Sequence, residues 1–174
     1  MTEVQKTITP PGTEISKLLV SRGILRFRKF GEIGKIQCLL NNFLTVSTLV
    51  ISFESGGSTE TIHGIRLEEL DEEGNPDDIC FLDFKEGPEL VAAIDHLMGY
   101  AKELSHEYQE YIEADYVSLD GARIGFYHSG NDQTAFADVG GDGQLVYMQI
   151  HQLLELKEHL KNTIAALEAG GATV

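Results

Sequence analysis

The sequence predicts an α+β fold of two tandem units, each an antiparallel four-stranded β-meander followed by a helix (ββββα repeated), with the helices on one face of the sheets. Three observations carry this expectation. Alternating apolar segments rich in β-branched residues are separated by glycine turns, and two long amphipathic stretches follow them. A shift of 66 positions also lays Cys80–Ala101 over Val146–Leu167 without a gap, so that Leu82 meets Met148, Leu90 meets Leu156 and Ile94 meets Leu160. An internal duplication with pseudo-twofold packing is therefore expected. Its parts are an N-terminal arm over 1–21, a first unit over 22–105 and a second over 106–174, joined in one globular domain.

The arm contains prolines and one helical stretch at Glu14–Val20. Strands are expected over 24–30, 34–41, 44–54 and 60–68, followed by the short strand Cys80–Phe84. Within them Phe43–Phe53 is the longest apolar run, too short to cross a bilayer and rich in β-branched residues, as a buried strand is. Asp71–Asp78 forms an acidic loop. After Gly87-Pro88 a helix opens, proline near the first turn suiting the missing N–H there. Its stripe of Leu90, Ile94, Leu97, Met98, Ala101 and Leu104 runs on toward Tyr108 and Tyr111, which would join the two units by one long helix.

The second meander reads as Tyr111–Leu119, Ala122–His128, Gln133–Val139 and Gln144–Ile150, joined at Asp120-Gly121, Ser129–Asn131 and Gly140–Gly143. The last helix, 151–168, presents Leu153, Leu156, Leu160, Ile164 and Leu167 on one stripe and stops at Gly170-Gly171.

With 42% hydrophobic residues over 174 positions, the chain is too apolar for a disordered acidic tail despite its net charge of −15. Met1–Pro10 lacks the apolar core of an export signal, so a cytoplasmic, non-membrane setting is expected. Cys38 and Cys80 form neither a CxxC pair nor a zinc cage, and read as two reduced core thiols.

The charge is unevenly distributed. Residues 1–85 carry 9 basic and 13 acidic side chains, whereas residues 86–174 carry 4 and 15. Acidic residues Glu103, Glu107, Glu110, Glu113 and Asp115 share one stretch with Tyr100, Tyr108, Tyr111 and Tyr116, and tyrosine is a frequent interface anchor. From these, Glu103, Glu107, Tyr108, Glu110 and Tyr111 are the candidate protein interface. The opposite feature is the basic, aromatic ribbon Arg22, Arg26, Phe27, Arg28, Lys29, Phe30 and Lys35. In a strand, Arg26, Arg28 and Phe30 share one face and Leu25, Phe27 and Lys29 the other, an arrangement that suits phosphates and stacked bases of single-stranded nucleic acid. Net charge opposes that use, because phosphate binding draws its affinity from cations.

Signals for catalysis are weak. His151, Glu155 and His159 fall at i, i+4 and i+8 on one helical face, but that face lies opposite the leucine stripe and the spacing is not HExxH. Asp71–Asp78 departs from a calcium loop, with Glu73 in place of Asp or Asn and Pro76 in place of the turn glycine. His128, Ser129 and Asp132 crowd a turn, yet adjacent strand residues point to opposite faces. Neither Gly31–Gly34 nor Gly140–Gly143 opens a helix after a parallel strand, as a phosphate cradle does.

The expectation is thus a non-enzymatic acidic binding protein, without cofactor and homodimeric, that engages a basic protein partner. Single-stranded nucleic acid on the basic strand is the second reading. A metal-dependent hydrolase built on His151 and His159 is the third.

Overall fold

The computed structural model describes residues 12–173. It contains α1 (Glu14–Val20), β1 (Arg26–Gln37), β2 (Phe43–Ser55), β3 (Ser58–Leu70), β4 (Pro76–Asp83), α2 (Glu86–Leu104), β5 (Gln109–Val117), β6 (Arg123–Gly130), β7 (Asp132–Asp138), β8 (Val146–Gln149) and α3 (Gln152–Ala169). The strands make two antiparallel meanders, β1-β2-β3-β4 and β5-β6-β7-β8, each followed by a helix. This is the two-unit α+β arrangement expected from the sequence. Of the arm, residues 1–11 lie outside the described residues, and the Glu14–Val20 helix forms as expected. Among the described residues no helix is long and apolar enough to cross a membrane.

Three elements differ from expectation. The segments 24–30 and 34–41 are one strand, β1, continuous through a bulge between Glu32 and Gly34 that leaves Ile33 unpaired. The second helix stops at Leu104, capped at Ser105, and does not continue to Tyr111, because residues from Gln109 onward pair with β6. The acidic loop is shortened, since Pro76–Asp78 already belong to β4.

The repeat recurs in hydrogen bonds as well as in sequence. Glu86 opens α2 and its Oε2 accepts from the Asp83 N–H at 2.9 Å; Gln152, 66 positions on, opens α3 and its Oε1 accepts from the Gln149 N–H at 2.8 Å. At the same offset, the Gly87 N–H donates to Phe84 O and the Leu153 N–H to Ile150 O. The same two residues reach across to the other unit. Glu86 Oε1 accepts from the Leu119 N–H at 2.9 Å, and Gln152 Nε2 donates to Gln37 O at 2.7 Å.

Both helices lie over the sheet they do not follow. On α3, His159 and Leu167 pack against β1, while on α2, Leu97 and Tyr100 border Ala114 and Tyr116 of β5. One buried cluster therefore contains Leu44, Ile65 and Leu82 of the first sheet, Ile124, Ala135 and Met148 of the second, and the stripes of α2 and α3. The other face of the first sheet is partly covered by α1, whose Ile15 and Leu18 pack on Leu49 and Ile51. Gly64 permits this: a Cβ there would lie 2.0 Å from Ile15 Cδ1. The Asp83 carboxylate accepts from the Glu14 and Ile15 N–H groups, fixing the start of α1 to β4.

Candidate interaction surface

The end of α2 and the outer strand β5 form an acidic, tyrosine-bearing exposed surface that carries the predicted interface residues. Tyr108 is 74% and Tyr111 57% exposed, with Tyr100 and Val117 also open to solvent. Exposed apolar groups that cluster in this way mark interaction surfaces. Glu103, Glu107 and Glu110 are exposed and have no ion-pair partner among the described residues. Glu107 accepts from Gln109 Nε2, at 3.2 Å.

Behind this edge the side chains are tied to one another. Arg123 Nε donates to Asp115 Oδ2 at 2.6 Å and its Nη2 donates to Glu113, while the guanidinium lies 5.4 Å from the centre of the Phe136 ring. The Tyr111 hydroxyl donates to Glu113, which holds the Glu113 carboxyl below its ordinary range, with Arg123 adding to the effect, and raises the Tyr111 phenol. Tyr111 stacks on Tyr127 with centroids 6.1 Å apart, and Tyr127 meets Tyr147 edge-on at 6.4 Å. This row spans β5, β6 and β8 on the outer face of the second sheet. Sequence reading named Tyr111 but missed Tyr127, Tyr147 and Arg123, whose shared face follows only once strand register is known.

The basic ribbon lies on β1, an edge of the first sheet, except for Arg22, which sits in the connection between α1 and β1. Pairing places Arg26, Arg28 and Phe30 opposite Phe53, Ile51 and Leu49, the face partly covered by α1, and Phe27 and Lys29 on the other. The bulge at Ile33 brings Lys35 onto the Arg28 face, where its Nζ lies 4.0 Å over the Phe43 ring. Arg66, which sequence reading passed over, sits 5.0 Å from the Phe30 centroid and pairs with Glu68. Arg26 is tied to the Leu18 carbonyl. Exposed Arg22, Arg28, Lys29 and Lys35 have no ion-pair partner among the described residues.

The remaining candidates separate. The expectation that the His151, Glu155 and His159 face points to solvent fails at His159, which packs on β1 with its Nε2 buried and 3.8 Å from Glu155 Oε1. His151 is exposed and precedes the helix as its N-cap. Among the described residues no three His, Cys, Asp or Glu side chains converge in metal-ligating fashion. The Asp71 carboxylate is spent on its own loop, accepting from the Glu73 and Asn75 N–H groups. His128 is fully buried beside Gln133, and Ser129 Oγ turns away to Glu110 O. Burial pushes the Cys38 thiol up to about 11 and Cys80 higher still, so both are packed, unreactive thiols.

A second acidic concentration was not anticipated as a unit: Asp77 and Asp78 of β4 lie near Asp138 at the end of β7 and Asp142 of the β7–β8 connection, with Glu69 nearby. Burial, first, and mutual repulsion raise the Glu69 and Asp78 carboxyls. No protein-family model matches the chain, and no curated protein matches it in sequence.

Proposed function

We propose that the chain is a non-enzymatic interaction protein whose α2–β5 surface, built from Glu103, Glu107, Tyr108, Glu110 and Tyr111, engages a basic surface on a protein partner. The observation that carries this reading is the coincidence of exposed tyrosines with glutamates lacking cationic partners on an open sheet edge. Tyrosines supply contact area at low entropic cost, and the unpaired carboxylates steer and select a cationic partner. A cytoplasmic, homodimeric protein fits the two unpaired thiols and the open strand edges.

The test compares the native chain with a Glu107→Ala/Tyr108→Ala/Glu110→Ala/Tyr111→Ala variant as baits in host extract. A basic protein retained by the native chain, lost from the variant and released by salt is expected. Identical retention by both baits would contradict the proposal.

A second reading is favoured by one observation, the grouping of Arg28, Lys35 and Arg66 with Phe30 and Phe43 on one sheet face. It assigns single-stranded nucleic acid to β1, the cations meeting phosphates and the rings meeting bases. A labelled oligonucleotide titrated across salt decides it. Binding with a steep salt slope that flattens in Arg28→Ala/Lys35→Ala supports this reading, and no binding at low salt removes it.

A further inference from the structure

We infer that the basic partner of the α2–β5 surface is a second copy of this chain, presenting the edge of β1. This rests on the proposed function and names the partner of that same surface. Two meanders leave four sheet edges, and an open edge is a template for pairing. Two of the four are partly screened within the chain. The Leu39 N–H donates to Tyr147 O at the β8 edge, and β4 borders Gly12, Ser16 and Asp120 across a cleft of about 340 Å³. Among the described residues, β1 and β5 remain, as corresponding first strands of the two units.

These two edges match in both charge and apolar character. Next to β1 and along it, exposed Leu25 and Phe27 stand among Arg22, Arg28 and Lys29. From the end of α2 to the start of β5, exposed Tyr108 and Tyr111 stand among Glu103, Glu107 and Glu110. Pairing β1 with β1 sets cation against cation, and pairing β5 with β5 sets carboxylate against carboxylate; only the unlike pairing brings opposite charges together. The regular stretches are Arg26–Glu32 and Ile112–Val117; Glu103, Glu107 and Glu110 lie N-terminal to the second, within which Glu113 and Asp115 are held by Arg123. The contact is heterologous, joining different patches on the two copies.

Sedimentation velocity on the purified chain over a concentration series tests this, using two charge-reversed variants confirmed as folded by circular dichroism. Arg22→Glu/Arg28→Glu/Lys29→Glu makes both edges acidic, and Glu103→Lys/Glu107→Lys/Glu110→Lys makes both basic. The native chain is expected to associate at low salt and dissociate as salt rises. Each variant alone weakens association by more than about a hundredfold, and an equimolar mixture of the two restores it. A native chain that stays monomeric throughout, a variant that associates like the native chain, or a mixture that does not recover overturns the inference. A monomeric native chain that binds a single-stranded oligonucleotide through Arg28 and Lys29 also overturns it, giving β1 to nucleic acid. The bait comparison described above is read independently: a basic protein other than this chain, retained through the tyrosine surface, leaves the proposed function standing while the self-pairing fails.

Discussion

Gly34 is glycine because His159 occupies the place of its side chain. A Cβ built on Gly34 would lie 2.2 Å from the imidazole, so the bulge of β1 and the middle of α3 are fitted to each other across the unit boundary. Gly34→Ala is expected to lower unfolding free energy by about 1–3 kcal/mol, since overpacking forces side chain and backbone to shift. His159→Ala in the same chain should recover much of that loss, and a double-mutant cycle by urea denaturation checks it. An equal loss with or without His159 would assign the cost to the strand alone. Nothing in the sequence marks this pair. Periodicity places His159 on the polar side of its helix, and the bulge that brings Gly34 beneath it depends on a register set by β2.

At the scale of elements, the helix starts show how far the 66-residue correspondence between the two units extends into structure. Glu86 and Gln152 make the same bond to the residue three positions earlier, but their second contacts have opposite polarity, Glu86 accepting from Leu119 N–H and Gln152 donating to Gln37 O. Exchanging them therefore breaks one contact in each. Glu86→Gln turns an amide NH₂ toward an N–H, and Gln152→Glu turns a carboxylate toward a carbonyl. Each is expected to cost about 1–3 kcal/mol in urea denaturation near neutral pH, and a neutral exchange would show that the second contacts carry no weight. The helices, their stripes and most strands were legible because burial imposes a period on the sequence. The seating of each helix on the opposite sheet was not, since a leucine stripe shows that a face is covered without showing by what. The end of α2 was misread for a related reason: Tyr108 and Tyr111 continue its spacing, yet strand pairing from Gln109 onward takes that part of the chain.

Over the whole molecule, the acidic excess makes stability depend on pH in a definite sense. Burial raises Glu86, Glu69 and Asp78 above their unfolded values, so the folded chain binds those protons more tightly than the unfolded chain. Their contribution is complete below the unfolded values and is lost as pH rises through the folded ones. Glu113, held low first by the Tyr111 hydroxyl and then by Arg123, acts in the opposite sense, its contribution being lost as pH falls through its folded value. The urea midpoint is thus expected to be higher at about pH 5.5 than at about pH 8, and to fall again below about pH 4. A midpoint that rises steadily from pH 5.5 to 8 would contradict this balance. The charge is divided over the surface, with a basic edge at β1 and an acidic, tyrosine-bearing region at the start of β5, the corresponding first strands of the two units. The site was half legible in the sequence: composition located the two patches, while the tyrosine row across three strands and the openness of both edges emerge only from the sheet order.

The most direct measurement is amide hydrogen exchange, comparing dilute with concentrated native protein at low salt. If the β5 edge engages a basic strand, amides of β5 and β1 slow together at high concentration while those of β4 and β8 do not change, and added salt reverses the effect. Exchange in β5 and β1 that is unchanged at every concentration, or protection confined to β4 and β8, would contradict the account.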